Sequence, residues 1–356
     1  MRQDNALQVY YDEKFVGTLA ITADHKAAFQ YSEEWLENGF SISPFSLPLK
    51  KQVFVPTKDY FDGLFGVFAD SLPDNWGRLL LNRLLQEHKQ NPDELTVLDR
   101  LAIVGKSGMG ALTYYPERSF SEQHKHVNLD ELYRLGGTSG GARPKIMTTI
   151  NQEEWIIKFP AHVDGKDAGK MEYDYSCCAR QCGITMSETR LFPSDKCKGY
   201  FGIRRFDRET DGKRIHMLTA AALLELDFEQ PSLDYHSLMK LTKILTRDNN
   251  EDVENMFRRM CFNVFAHNRD DHLKNFTYLY DEVNDQWRLS PAYDLTYSNT
   301  YYGEHTTTVD GNGRNPGRKE LLAVGIAAGM RKSNCENIID TTHACVSQML
   351  GEYLVM

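Results

Sequence analysis

The N-terminal stretch "ALQVYYDEKFVGTLAI" places apolar and β-branched residues on both sides of the polar run Asp12 to Lys14, which predicts two short strands joined by a tight turn. Further along, leucines at 79, 80, 81, 84 and 85 follow the start signal Pro73-Asp74 at helical spacing. "PDELTVLDRLAIVG" predicts a second helix folded back on the first. The run 117–128, "ERSFSEQHKHVN", carries no apolar period and predicts a boundary near residue 120. Beyond it, "GGTSGGARPKIMTTINQEEWIIKFPA" reads as a glycine-rich turn, a strand, a short turn and another strand. Segments 168–183, 216–226, 232–246 and 250–267 carry helical periodicity, so the chain passes from mixed α/β to mostly helical. Residues 300–318, dominated by Gly, Pro and polar side chains, read as a long loop.

Composition narrows this picture. At 356 residues and 41% hydrophobic, the chain has room for two or three domains with a sizeable core. A net charge of −9 argues against a broad nucleic-acid surface, so any action at DNA would run through a partner. No run of about 18 apolar residues occurs and the N-terminus is polar, which leads us to expect a cytoplasmic protein without a membrane association. The seven cysteines are odd in number; Cys177, Cys178 and Cys182 fall in a helical segment without a CxxC pair and read as reduced, packed thiols rather than a zinc site.

The densest polar chemistry lies in "FAHNRDDHLKNF". Asp270 and Asn275 stand five residues apart with Arg269 directly before the aspartate. That is the spacing at which a phosphoryl-transfer loop presents a catalytic carboxylate and a magnesium-binding amide. Asp294, in "WRLSPAYDLTYS", follows a predicted strand and supplies a second candidate metal ligand, although no Asp-Phe-Gly triplet is present. Upstream, four glycines within residues 136–141 let backbone N–H groups approach phosphate oxygens. Lys158 lies in the strand after that turn, on the face opposite Trp155 and Ile157. A half-buried lysine needs an anionic partner; ATP phosphates and Glu172, in the next predicted helix, both qualify.

Taken together, "SLPDNWGR", "GKSGMGAL", "GGTSGGARPK", "IIKFP", "MEYDYSCCARQCGI", "RRFDR", "NRDDHLKNF" and "LSPAYDL" resemble the HipA-like serine/threonine kinases, toxin components of bacterial toxin–antitoxin pairs. The resemblance runs from about residue 7 to about residue 330. It implies an α+β, two-lobed kinase-like fold, akin to the phosphoinositide kinases, with an N-terminal α/β subdomain over 1–118 and a kinase domain over 119–356. Within the latter, a nucleotide-binding lobe would span about 119–205 and a mostly helical catalytic lobe about 206–356.

By position, the resemblance implies Asp270 as catalytic base, Asn275 and Asp294 as magnesium ligands, and Lys158 on the α/β phosphates of ATP with Glu172 as its partner. The backbone of Thr138, Ser139, Gly140, Gly141, Ala142 and Arg143 would form the phosphate loop. His272 would orient the catalytic loop and Lys274 would touch the γ-phosphate. Relatives silence themselves by phosphorylation in the glycine-rich loop; here that position falls on Thr138, with Ser139 beside it. The implied partners are a protein with a Ser or Thr acceptor and a small helix-turn-helix antitoxin. Two other readings stay open: a lipid or small-molecule kinase, and a kinase-like binding module in an antitoxin repressor complex. Arg205 and Asp207 of "RRFDR" are expected to form an internal ion pair, and His216 stands where relatives carry an acidic residue.

Overall fold

The computed structural model describes residues 5–87, 89, 91–118, 143–161, 165–227, 233–300 and 302–355. The chain separates into two compact units, 1–145 with 207–227, and 146–206 with 228–356. Residues 207–227 are thus a return of the chain to the first unit.

The first unit is built on a five-stranded antiparallel sheet in the order Val53–Phe54, Ala27–Tyr31, Lys14–Ile21, Ala6–Tyr11, Leu112–Tyr115. The predicted hairpin forms because Asp12 and Glu13 take positive φ, the conformation that lets a two-residue turn follow the twist of its strands. Alternate residues Leu7, Val9 and Tyr11 point into the core with Phe29, Phe68 and Tyr114. The predicted pair of helices is present as Asn75–Glu87 and Val97–Val104. The second starts on a capping box in which the Thr96 hydroxyl accepts the Asp99 N–H while Asp99 accepts the Thr96 N–H.

Residues 207–227 are stitched into this unit by buried polar contacts. Asp207 accepts the Gly110 N–H at 2.7 Å and pairs with Arg208 at 2.8 Å. His216 bonds the Ile42 carbonyl at 2.8 Å between Tyr11 and Phe40, which makes it a core histidine. The helix expected over 216–226 is a correction: Met217–Thr219 is a strand and only Ala220–Leu224 is helical. Asp70 captures the Thr219 N–H at 2.7 Å and the Thr219 hydroxyl caps the helix, so tertiary partners set its start later than periodicity predicts. Gly66 sits so close that an added Cβ would lie 2.4 Å from Ala222 Cα.

The second unit opens with a four-stranded sheet in the order Lys145–Ile150, Glu153–Lys158, Tyr200–Arg204, Thr189–Phe192. The helix Ala168–Gln181 lies directly on it; a Cβ at Gly169 would stand 2.2 Å from the Gly199 carbonyl oxygen. On its other side Tyr175, Cys178 and Ala179 pack with Phe262, Val346 and Leu350. These last belong to the helices Asn250–Phe265 and Lys332–Leu354, which with Tyr235–Leu245 and Arg318–Ala327 make the second half mostly helical. This mixed α and β organisation agrees with the expected class. Among the described residues no helix is long and apolar enough to cross a membrane.

Glu225 gives the first unit a pH signature. Its carboxylate accepts the Gly66 N–H at 3.0 Å, and burial pushes its pKa up to about 6 from 4.5. The folded chain therefore holds this proton more tightly than the unfolded chain. The associated stability is fully present below about pH 4.5 and is lost as pH rises through about 6, amounting to about 2 kcal/mol. Glu225→Gln is expected to remove that slope when urea denaturation is followed from pH 4.5 to 7.

Candidate active site

Of the sequence-predicted residues that lie among the described ones, Arg143 falls in the first unit, and Lys158, Glu172, Asp270, His272, Lys274, Asn275 and Asp294 fall in the second, where two clusters form. In the first, the strand Glu153–Lys158 buries Trp155 and Ile157 on one face and turns Lys158 to the other. Lys158 Nζ meets Glu172 Oε1 at 2.5 Å and also pairs with Asp294 Oδ1. Glu172 is buried on the helix Ala168–Gln181. Burial alone would push the Lys158 ammonium toward neutrality, but the two carboxylates outweigh it and hold the pKa above its ordinary value. The lysine is therefore a fixed cation.

Asp294 reaches this lysine through an irregular segment that is itself anchored. Ala292 N–H donates to the Thr185 carbonyl at 2.8 Å, Leu295 is buried, and Asp294 takes φ +53°. Aspartate tolerates that left-handed conformation better than most residues, and it turns the carboxylate out of the chain's path.

The second cluster is the loop that leaves the helix Asn250–Phe265. Asp270 is exposed, with His272 Nε2 at 3.9 Å from its carboxylate. A single 3-10 turn, Leu273–Asn275, brings the Asn275 side chain back so that Nδ2 donates to the Asp270 carbonyl at 2.7 Å. With Nδ2 engaged, Oδ1 is the atom of that amide suited to a cation. The clusters are joined: the hydroxyl of Tyr293, next to Asp294, donates to the carbonyl of Lys274, next to Asn275, and lies 2.5 Å from Thr277 Oγ1.

Asp271, beside the candidate base, is what the sequence reading missed. It is fully buried and accepts from Tyr235 OH at 2.9 Å, His305 Nδ1 at 2.9 Å and the Thr307 N–H at 3.1 Å. Asn263 and Asn268 extend the network behind Tyr235. The segment 300–318 thus contributes structure to the loop; Thr306 N–H donates to the Arg269 carbonyl at 3.0 Å and a short strand forms at Thr307–Thr308. The available signal was the doubled Asp270-Asp271, in which adjacent carboxylates take opposite environments.

Thr138, Ser139, Gly140, Gly141 and Ala142 lie outside the described residues, and Arg143 is exposed just after them. The oxygen donors of Asn275 and Asp294 are of the hard kind magnesium prefers, and the Lys158 ammonium is of the kind that meets phosphates, so the chemistry of these side chains suits both groups.

Residues 7–115 match the description HipA N-terminal domain, and residues 137–349 match HipA-like C-terminal domain. Y4mE, a presumed kinase of Sinorhizobium fredii, is 23% identical over 97% of this chain and 92% of its own length. Y4dM, another presumed kinase from that organism, is 28% identical over 44% of this chain and 40% of its own length. Among solved structures, the Shewanella oneidensis HipA, in complex with HipB and its operator DNA, superposes with a TM-score of 0.76 at 16% identity, covering 98% of this chain and 91% of that one. The likeness shows a shared fold.

Two stability measurements check the site. Lys158→Met leaves buried Glu172 without its cation and is expected to destabilise the second unit by about 3–5 kcal/mol, of which Glu172→Gln in the same chain restores a large part. Asp271→Ala is expected to cost about 2–4 kcal/mol, because three donors lose their acceptor, and to expose the 265–275 loop to proteolysis.

Proposed function

The chain belongs to the HipA-like kinase family, and from that premise we propose that it is an ATP- and magnesium-dependent serine/threonine protein kinase. The observation that carries the reading is the pairing of buried Lys158 with Glu172 and Asp294, joined through Tyr293 to the loop that holds Asp270 and Asn275. Lys158 holds the nucleotide phosphates, and Glu172 keeps the lysine extended toward them. Asn275 and Asp294 hold magnesium, which when bound neutralises charge on the transferring phosphate. Asp270, exposed at the mouth of the loop, orients the acceptor hydroxyl and takes its proton. His272 steadies the Asp270 carboxylate, and Lys274 contacts the γ-phosphate.

The glycine-rich run 136–141 and its neighbours through Arg143 form the phosphate loop in this reading, with Thr138, or Ser139 beside it, the site of self-modification that silences the enzyme. A small helix-turn-helix antitoxin is the proposed partner. The superposed Shewanella protein is held with HipB on operator DNA. With a net charge of −9, this chain would meet DNA through such a partner and act in the cytoplasm.

Asp270→Asn is expected to lower transfer of labelled γ-phosphate to lysate proteins by about 100- to 10,000-fold while leaving nucleotide binding intact. Transfer at the wild-type rate would remove Asp270 from the mechanism. Label appearing only in lipid or small molecules would move the acceptor away from protein.

A further inference from the structure

Away from this site, three sulfurs meet in the second unit. Cys178 stands on the helix Ala168–Gln181 and Cys182 caps its end, four residues on and so on the same face; Cys345 comes from the helix Lys332–Leu354. Their Sγ atoms all lie within 4.8 Å of one another, and Cys178 and Cys345 are 3.9 Å apart. Among the described residues this is the one trio of potential metal ligands so disposed. The pattern was invisible to spacing along the chain, because the third thiol is contributed from the far end of the sequence.

We propose that Cys178, Cys182 and Cys345 form a binding site for a thiophilic d10 metal ion, zinc or monovalent copper. Thiolate bonds to zinc are about 2.3 Å long, which separates tetrahedral sulfurs by about 3.8 Å. The observed spacing therefore needs side-chain adjustment only. The donor set is soft throughout: Met349 Sδ lies 3.7 Å from Cys345 Sγ and places a thioether beside the trio. Tyr175, Ile184, Phe262 and Leu350 surround it with apolar surface that keeps competing water away from metal–sulfur bonds, while half-buried Cys345 provides the entry side. Binding exchanges each thiol proton for a metal–sulfur bond: three protons leave to solvent, the ion keeps its oxidation state, and no electrons move. An ion held here would clasp the helix that carries Glu172 to the C-terminal helix.

The test uses the full chain, reduced and stripped with chelator, and does not depend on kinase activity. Zinc and monovalent copper are titrated separately against competing chromophoric ligands, and cadmium reports thiolate bonding by its ultraviolet charge-transfer band. One equivalent of either ion with that band supports the site, and whichever ion competes better identifies it. Cys345→Ala, which removes a partly exposed sulfur, is expected to weaken binding at least 100-fold and to abolish any metal-induced rise in melting temperature. Cys177→Ala and Cys197→Ala are expected to change neither. Absence of stoichiometric binding, undiminished binding in Cys345→Ala, or loss of binding in the Cys177 or Cys197 variants would each overturn the proposal.

Discussion

A single buried ammonium organises the second unit. Lys158 is drawn from a sheet, Glu172 from a helix and Asp294 from an irregular segment, and the buried Glu172 carboxylate in particular would be costly at its depth without the lysine. Sheet, helix and segment are thereby fixed to one another at the point where chemistry would occur. The arrangement holds more negative than positive charge, which suits a place where cations are to be received. Rigidity at this point comes from electrostatics, whereas the other side of the Glu172 helix is held by apolar packing on Phe262, Val346 and Leu350.

A second device complements it. Asp270 and Asp271 are chemically identical neighbours, yet one is exposed and the other is sealed among Tyr235, His305 and Thr307. The buried member fixes the backbone from which the exposed member is presented, with His272 near its carboxylate. Division of labour between adjacent residues is economical, because backbone continuity transmits the anchoring over one peptide unit.

Much of this is legible in the sequence alone. Strand alternation placed Lys158 opposite Trp155 and Ile157, and the burial pattern agrees. The hairpin at Asp12 and Glu13 and the helix within residues 92–105 were written in local signals, and local signals are short-range. What escaped was non-local. The helix expected from residue 216 yields to a strand because Asp70 holds Thr219, a partner 149 positions away that periodicity cannot register. The support of Asp271 by His305 and Thr307 was hidden for the same reason, inside a stretch whose glycines and polar residues advertised only irregularity. The phosphate-loop residues through Ala142 lie outside the described part, so their reading rests on sequence alone.

The passage of residues 207–227 through the first unit carries an evolutionary and biosynthetic corollary. Asp207, His216, Thr219 and Glu225 fill sites whose complements at Gly110, Ile42, Asp70 and Gly66 are translated well over a hundred residues earlier for all but the first. On the ribosome, the loops and the short helix that carry those groups must wait with them unmet until the later piece emerges. Recombination that exchanged the N-terminal portion between relatives would have to carry both coding stretches together, or select compensating changes in the one left behind.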